Sequence, residues 1–372
     1  MTMKTTFYLL YSIICLFASC SSSDDSSDNI IDDPVDSTYF PPLTGDTWET
    51  TSPTDLQWDN QKLTELNTFL EQNETRAFIV LVDGKIVVEK YWNNDLLGQP
   101  FDVSSTWYWA SAGKSLTGTL VGIAQEEGFL NIDDKSSDYL GNGWTSMLQV
   151  KEDLITIKNH LTFTTGIDYN VTNQECYDPS CFNYLTDAGN EWYYHNATYL
   201  IVHDIIENAT GMTNNQYTNT AIANKIGMTG FWTNTAQSSN VYFSDARSAA
   251  RFGLLTLAEG NWDGTTILGD SAYFNAMTNT SQNINEAYGY LWWLNGKSTL
   301  RFPGSTATIP SSLTPSGPSD MISALGKNGQ FIDVVPSMNM VVIRMGNEPS
   351  GSLVPVTFHD EMWEKLTEVM EN

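Results

Sequence analysis

A serine and a lysine stand three residues apart in the stretch Trp107-Tyr108-Trp109-Ala110-Ser111-Ala112-Gly113-Lys114-Ser115-Leu116-Thr117-Gly118-Thr119-Leu120, where a helix of small and apolar residues is predicted to begin. Positions i and i+3 share one helix face, so the Lys114 amine is expected beside the Ser111 hydroxyl. A desolvated lysine can take the proton of a serine nucleophile, and a helix N-terminus adds backbone N–H groups and a positive dipole end. Alone, the spacing is more often that of a helix start with a solvated lysine. Of the twelve lysines, Lys114 alone has a serine three residues before it.

Composition limits the class of protein and of partner. The chain has 372 residues, of which 41% are hydrophobic and 12% aromatic, enough for one large domain or two with a substantial core. Its formal net charge of −27 argues against nucleic acid and anionic membrane surfaces as partners. The four histidines are scattered and lack zinc-ligand spacing with the cysteines, so we expect neither a metal nor another cofactor.

The N-terminal region is predicted to direct export. Residues 1–19 have a charged start and a short apolar run typical of a signal peptide, and Phe17-Ala18-Ser19-Cys20 resembles a bacterial lipoprotein cleavage box. Lipidation of Cys20 is therefore expected to anchor the protein to a membrane, in the periplasm or at the outer-membrane surface. Ordinary secretion with Cys20 unmodified is the alternative. Residues 20–52, which begin with a Ser/Asp-rich run, are predicted to form a tether.

Residues 53–372 are predicted to form one α+β domain. An amphipathic helix is expected over 54–72, followed by strands at 78–82 and 86–92 joined by an Asp83-Gly84 turn. Helical patterns dominate from about 111 to 285. Further strands are expected at 288–294, 321–325, 331–335 and 340–345, and a helix over 357–371 closes the chain. This order predicts an antiparallel sheet built from both chain ends, flanked by terminal helices, with a helical region inserted.

Two later motifs give the serine–lysine pair its context. Tyr194-His195-Asn196 precedes a predicted helix, and Lys327-Asn328-Gly329 lies beside a late predicted strand. Other matches to these patterns, at Tyr91, Tyr217 and Lys225, lack the required order or the neighbouring elements. With Ser111-x-x-Lys114 the ordered set resembles the serine β-lactamase and penicillin-binding-protein superfamily, and within it the class C β-lactamase-type branch. That branch includes esterases, D-aminopeptidases and 6-aminohexanoate-dimer hydrolases, and the resemblance implies a β-lactamase/transpeptidase-like fold.

The resemblance also implies an acyl-transfer mechanism. Ser111 is expected to attack an ester or amide carbonyl and become acylated, with Lys114 and Tyr194 as general bases. Two nearby ammonium groups are expected to lower the pKa of the Tyr194 phenol. The remaining roles are orientation of Lys114 and the substrate amide by Asn196, positive potential from Lys327, and an oxyanion hole formed by the backbone N–H groups of Ser111 and Gln330.

Substrate contacts are predicted at Tyr169, Asn328 and Gly329. Asn328 replaces the family's usual threonine, so a carboxylesterase or amidase is expected ahead of a β-lactamase or D,D-peptidase. Trp107, Trp109 and Trp293 are among the aromatic residues near the motifs, and core packing is expected for most of these aromatic residues. Outside the cytoplasm Cys176 and Cys181 are expected to form a disulfide across a short loop.

Two competing interpretations remain open on sequence grounds. Trp109-Ala110-Ser111-Ala112-Gly113 is one residue short of a Gly-x-Ser-x-Gly nucleophile elbow, with His359 as a late histidine partner. The first glycine of the elbow is missing, and the region reads as helical, which favours Lys114 as the base. The other interpretation is a surface sensor or binding protein that acylates without turnover or never reacts.

Overall fold

The computed structural model describes residues 38–236, 238–349 and 354–371, and residues from Thr38 onward form one compact unit. Within this part of the chain the helices are α1 (Asn60–Gln72), α2 (Gly113–Glu126), α3 (Ser137–Leu140), α4 (Gln149–Glu152), α5 (Ile157–Leu161), α6 (Asn196–Thr210), α7 (Asn214–Thr218), α8 (Asn224–Ile226), α9 (Ala246–Leu257), α10 (Ser271–Met277) and α11 (Val356–Met370). The strands are β1 (Thr75–Val82), β2 (Lys85–Tyr91), β3 (Trp107–Tyr108), β4 (Gly230–Thr233), β5 (Val241–Ser244), β6 (Asn261–Trp262), β7 (Thr265–Thr266), β8 (Trp293–Leu294), β9 (Ile322–Gly326), β10 (Gln330–Val335) and β11 (Met340–Gly346).

Strands from both chain ends form one antiparallel sheet. Its order is β2-β1-β11-β10-β9-β8, so the N-terminal hairpin joins the C-terminal strands through the pairing of β1 with β11. In that register Ile79 lies opposite Ile343, and Ile343 in turn lies opposite Ile332 of β10. This topology confirms the fold predicted from the sequence.

The turn between β1 and β2 follows from its two residues. Asp83 and Gly84 both have positive φ angles, of 52° and 77°, as a type I′ hairpin turn requires. The backbone oxygen of Tyr39 lies against Gly84 where a Cβ atom would stand, so this position accepts only glycine.

Both faces of the sheet are covered, which explains the continuous apolar run in β1. Phe78 and Val80 belong to a core shared with α1 and α11, including Trp363. Ile79 and Leu81 belong to the larger core on the side of the helical region. Side chains alternate between the two faces of a strand, so a stretch buried on both faces takes apolar residues at successive positions.

The predicted tether ends earlier than expected. Residues 38–52 belong to the domain, because Trp48 is buried and its indole N–H donates to the Gly84 carbonyl at 2.8 Å. The Tyr39 amide donates to the Asp83 carbonyl at 2.9 Å. Aromatic side chains therefore hold this segment against the first hairpin, and the domain begins near residue 38 instead of 53. The signal peptide, Cys20 and the Ser/Asp-rich run lie outside the described residues and stay predictions.

The inserted region contains short strands that the helical patterns did not predict. β3, β5 and β4 form a small sheet in that order, and β6 pairs with β7. The strand expected over 288–294 is reduced to β8, because Leu291 has a φ of 62° and Tyr288 bridges back to Trp293. In the part of the chain described, no helix combines the length and the apolar character needed to cross a membrane.

Candidate active site

Ser111 and Lys114 lie together where the sequence pattern placed them. The Lys114 ammonium nitrogen donates to Ser111 Oγ at 3.0 Å. Ser111 stands in a short 3-10 turn over Ala110–Ala112 and is partly exposed, whereas Lys114 in the first turn of α2 is only 6% exposed. Helix α2 is buried from Gly113 to Ala124, so its other residues also shield the Lys114 amine from solvent.

The turn that carries Ser111 is fixed on both sides. Ala110 has a φ of 48°, a left-handed conformation that an alanine adopts only when its surroundings impose it. The Trp109 amide donates to the Tyr242 carbonyl at 2.8 Å, and its indole donates to Ser244 Oγ at 2.7 Å. On the other side Gly326 of β9 approaches so closely that a Cβ atom there would meet the Trp109 carbonyl. Ser111 therefore lies between the main sheet and the small sheet.

Burial lowers the pKa of the Lys114 amine to about 7, and the charge of Lys327 acts in the same direction. The negative charge of Glu175 opposes both effects. The ammonium form has favourable contacts with two aromatic rings, since Lys114 Nζ lies 5.2 Å from the ring centre of Tyr194 and 4.4 Å from that of Tyr199. A large share of the Lys114 amines is thus neutral at neutral pH.

Tyr194 is also at the site, but its pKa moves opposite to the expected direction. The phenol is buried, and burial raises its pKa above the ordinary value, while a hydrogen bond with the Ser111 hydroxyl lowers it to a smaller extent. Its ring packs against Phe163, with centroids 4.5 Å apart, and stacks on Trp293. The expected lowering by ammonium groups is wrong for the resting site, because desolvation dominates and Lys114 is itself partly neutral.

Asn196 and Lys327 complete the group predicted from the motifs. Both residues, together with Ser111, line the two cavities that meet at the serine. Asn196 is the first residue of α6, and its Nδ2 donates to Glu175 Oε1 at 3.1 Å. Lys327 follows the last residue of β9, so the main sheet delivers it to the same place.

A buried arginine fixes the turn that follows Lys327. Arg344 of β11 is fully buried and donates to the carbonyls of Asn328 at 2.7 Å and Gly329 at 2.8 Å. Asn328 has a φ of 63°, and its Nδ2 donates to the Tyr108 hydroxyl at 2.8 Å. Asn328 lines one of the two cavities at Ser111, while Gly329 packs on Arg344 and lines neither of them. The substrate contacts predicted for both residues stay predictions.

Gln330, the predicted second oxyanion-hole residue, begins β10 and is buried. Its side chain bonds both ways with Gly346 of β11, donating to the carbonyl at 2.7 Å and accepting from the amide at 3.0 Å. Its backbone pairs with Gly326, the residue packed on the serine turn. The strand start is thus rigid, and the role of its N–H group stays a prediction.

The two cavities differ in chemistry. One, of about 270 Å³, is mainly apolar. Its wall includes Tyr193, Trp293, Phe302, Leu313, Leu325 and Val356. The other, of about 590 Å³, is more polar, with Tyr108, Glu175, Asn240 and Asn328 around Ser111 and Lys114. Ser111 lies where the two cavities meet. The two groups attached to a carbonyl carbon bound at Ser111 can therefore enter different cavities.

Tyr169 is set back from this junction. Its ring stacks on Tyr193 at 3.8 Å, and its hydroxyl lies 3.4 Å from Glu191, whereas Tyr193 itself lines the apolar cavity. Tyr169 lines neither of the two cavities, and its predicted substrate contact stays a prediction. Tyr193, which the sequence motifs do not mark, lines the apolar cavity in its place. Of the tryptophans near the motifs, Trp107 and Trp109 pack in the core, and Trp293 reaches the cavity wall.

His359 forms a separate buried network. Its Nε2 lies 2.8 Å from Asp333 Oδ2 and its Nδ1 lies 3.0 Å from Thr314 Oγ1. His359 lines the apolar cavity, but both of its ring nitrogens are engaged in this network, which removes the support for His359 as the base of a nucleophile elbow. Cys176 and Cys181 are joined by a disulfide in the loop before α6, with Cα atoms 6.0 Å apart.

Comparison with known proteins identifies the family. The pattern of the family described as Beta-lactamase matches residues 69–356, which is most of the chain and includes all three motifs. The chain belongs to the beta-lactamase family.

Solved structures with the same fold include members of the beta-lactamase family and related hydrolases. A Bacillus anthracis protein provisionally assigned as a 6-aminohexanoate-dimer hydrolase has a TM-score of 0.65 and 18% identity, covering 90% of this chain and 91% of its own. A penicillin-binding protein homologue from Caulobacter crescentus has a TM-score of 0.65 and 14% identity, with coverage of 88% and 99%. EstCE1, a hydrolase with promiscuous acyltransferase activity, has a TM-score of 0.62 and 12% identity, with coverage of 84% and 99%. No curated protein matches the chain.

Proposed function

We propose that this beta-lactamase-family protein is a serine hydrolase that cleaves an ester or amide bond through an acyl-enzyme on Ser111. The observation that carries the proposal is the buried Lys114 amine, 3.0 Å from Ser111 Oγ, whose pKa burial lowers to about 7. A structural lysine would be expected to be solvated or paired with a carboxylate. An amine that is desolvated beside a hydroxyl is suited to accept its proton near neutral pH.

In acylation, Ser111 Oγ bonds to the carbonyl carbon while its proton passes to Lys114. The carbonyl oxygen becomes an oxyanion, which the backbone N–H groups of Ser111 and Gln330 stabilise. The tetrahedral intermediate then collapses as the bond to the leaving group breaks. Tyr194, which is a neutral phenol in the resting site, gives its proton to the leaving group and recovers a proton from Lys114.

Deacylation reverses these proton movements with water as the nucleophile. Water attacks the acyl carbon and gives its proton to Tyr194, which passes its own proton to Lys114. The bond to Ser111 Oγ breaks, and Ser111 Oγ takes the proton back from Lys114 as the acid leaves. In this scheme Lys114 is the general base of the resting enzyme, and Tyr194 acts as a base in deacylation by passing its own proton to Lys114.

A carboxylesterase or amidase with an apolar group on one side of the carbonyl fits the site best. The apolar cavity of about 270 Å³ adjoins Ser111, and an engineered apolar cavity of about 150 Å³ is known to hold a benzene molecule. On the other side, Asn328 replaces the usual threonine hydroxyl, and its amide already donates to Tyr108. A β-lactam or D-alanyl carboxylate would have to displace that contact.

A substrate panel tests this order of preference. One preparation is assayed with nitrophenyl esters of two to eight acyl carbons, a chromogenic cephalosporin, D-amino-acid amides and a linear amide oligomer. We expect kcat/KM for the best ester to exceed that for the cephalosporin by about 100-fold or more, the size expected for one lost hydrogen bond to the charged substrate carboxylate. A cephalosporin turned over faster than every ester would contradict the esterase assignment, and covalent labelling without turnover of any substrate would favour a sensor.

A further inference from the structure

Glu175 brings a carboxylate into the active site from outside the three motifs. It directly precedes Cys176 in the disulfide loop and lines the polar cavity together with Ser111, Lys114 and Asn196. Its Oε1 accepts a hydrogen bond from Asn196 Nδ2 at 3.1 Å. Glu175 is only partly exposed, and its carboxylate belongs to the wall of the cavity that contains Ser111.

The contact fixes which way the Asn196 carboxamide faces. An ionised carboxylate can only accept hydrogen bonds, so the amide nitrogen must point toward Glu175 and the amide oxygen away from it. That oxygen is buried and has no hydrogen-bond partner among the described residues. A buried acceptor without a partner costs free energy, so the orientation persists because the bond to Glu175 holds it.

Glu175 also supplies charge beside the catalytic amine. Its negative charge favours the ammonium form and raises the pKa of Lys114, against burial and Lys327, which lower it. The titratable or charged side chains that interact with Lys114 are Glu175, Lys327, Tyr194, Tyr199 and His203. Burial raises the pKa of both tyrosines and lowers that of His203, so these three are neutral near pH 7. Glu175 is therefore the one acidic group in this set.

The segment that carries Glu175 is attached to the helix that carries Asn196. The Ala197 amide of α6 donates to the Gln174 carbonyl at 2.9 Å, and Gln174 Nε2 donates to the Tyr169 carbonyl at 2.7 Å. On the other side of Glu175 the Cys176–Cys181 disulfide closes the loop. Backbone bonds and a covalent link thus place the carboxylate, which makes its position a property of the fold.

We propose that Glu175 is a positioning residue for acylation, which holds the Asn196 carboxamide in one orientation and places a negative charge beside the Lys114 amine. This proposal rests on the proposed serine-hydrolase function. The segment beside the disulfide would then take part in catalysis through Glu175 as well as line the cavity.

The test compares Glu175→Gln with Glu175→Asp and with Asp178→Asn in the full-length protein. Asp178 is an exposed residue of the same loop and lies outside the cavity wall, so Asp178→Asn removes one negative charge without touching the site. For Glu175→Gln we expect the acid limb of the kcat/KM profile to move to lower pH by about half a unit or more, because the Lys114 amine loses the charge that favours its protonation. We also expect kcat to fall by about 10-fold through loss of the fixed Asn196 orientation. Glu175→Asp should return the limb toward that of the wild type, and Asp178→Asn should leave it in place.

Labelling with a fluorophosphonate separates this proposal from the proposed function. Wild type and Glu175→Gln should both be labelled on Ser111 at pH 9, where the Lys114 amine is neutral in either protein. An unlabelled wild type would refute the serine mechanism itself. A labelled Glu175→Gln variant whose acid limb does not move, or moves equally in Asp178→Asn, would overturn the role of Glu175 alone.

Discussion

Replacing Lys114 with methionine is expected to lower kcat/KM for the best ester substrate by about 10³-fold or more. Methionine keeps an unbranched side chain of similar length in the buried first turn of α2 but removes the amine that lies 3.0 Å from Ser111 Oγ. Without a base the serine hydroxyl attacks only as a neutral alcohol. Steady-state kinetics of wild type and variant measure the loss, and thermal unfolding shows whether the fold is retained.

The same residue sets the pH dependence of the wild type. Neutral Lys114 is the active form, so kcat/KM is expected to rise with pH and to level off above about pH 7, the value to which burial lowers its pKa. Below that pH the ammonium form predominates, and activity falls about tenfold per unit.

His359→Gln is the control for Lys114→Met, because glutamine can still donate to Asp333 in the buried network. We expect this variant to keep activity within a few-fold of the wild type. Loss of turnover in His359→Gln, with retention in Lys114→Met, would contradict the assignment of Lys114 and revive the nucleophile-elbow interpretation.

Replacing Tyr194 with phenylalanine is expected to lower kcat by about 10²- to 10³-fold while KM changes little. The ring contacts with Phe163 and Trp293 remain, and only the hydroxyl that bonds to Ser111 is removed. Esters with good leaving groups, such as nitrophenolate, need less protonation as they depart. The loss should therefore be smaller for nitrophenyl esters than for alkyl esters, and comparing the two substrate types measures this difference.

Tyr288→Phe provides a matched change in the same aromatic cluster. Tyr288 is buried with its ring 6.3 Å from that of Tyr194, but it lines neither cavity at Ser111. Its removal should leave kcat within a few-fold of the wild type. Equal losses in the two variants would show that the effect of Tyr194→Phe comes from packing and would contradict a proton-transfer role.

The main sheet and its first hairpin could be predicted from the sequence, because apolar runs and turn residues mark them directly. The apolar runs of β1, β10 and β11 are buried on both faces, and Asp83-Gly84 can only form a tight turn. The segment 38–52 was misassigned for the opposite reason. Its few aromatic residues carry no periodic pattern, and Trp48 is held by a contact with Gly84 that only the folded chain provides.

The three motifs correctly brought Ser111, Lys114, Tyr194, Asn196 and Lys327 to one place. The motifs could not predict how deeply Tyr194 is buried. Burial raises the pKa of its phenol, whereas neighbouring positive charges alone would lower it. The motifs also did not mark Glu175 and Tyr193, which line the cavities at Ser111. Glu175 reaches Asn196 across 21 positions of sequence, and no spacing rule marks such a contact.

Intact-mass spectrometry with peptide mapping detects the acyl-enzyme proposed on Ser111. The protein is treated with a fluorophosphonate and, in parallel, quenched during turnover of a slow ester. We expect one adduct per chain, located on the peptide that contains Ser111 and absent in Ser111→Ala. An adduct of equal yield in Ser111→Ala, or an active wild type that never carries one, would contradict the mechanism.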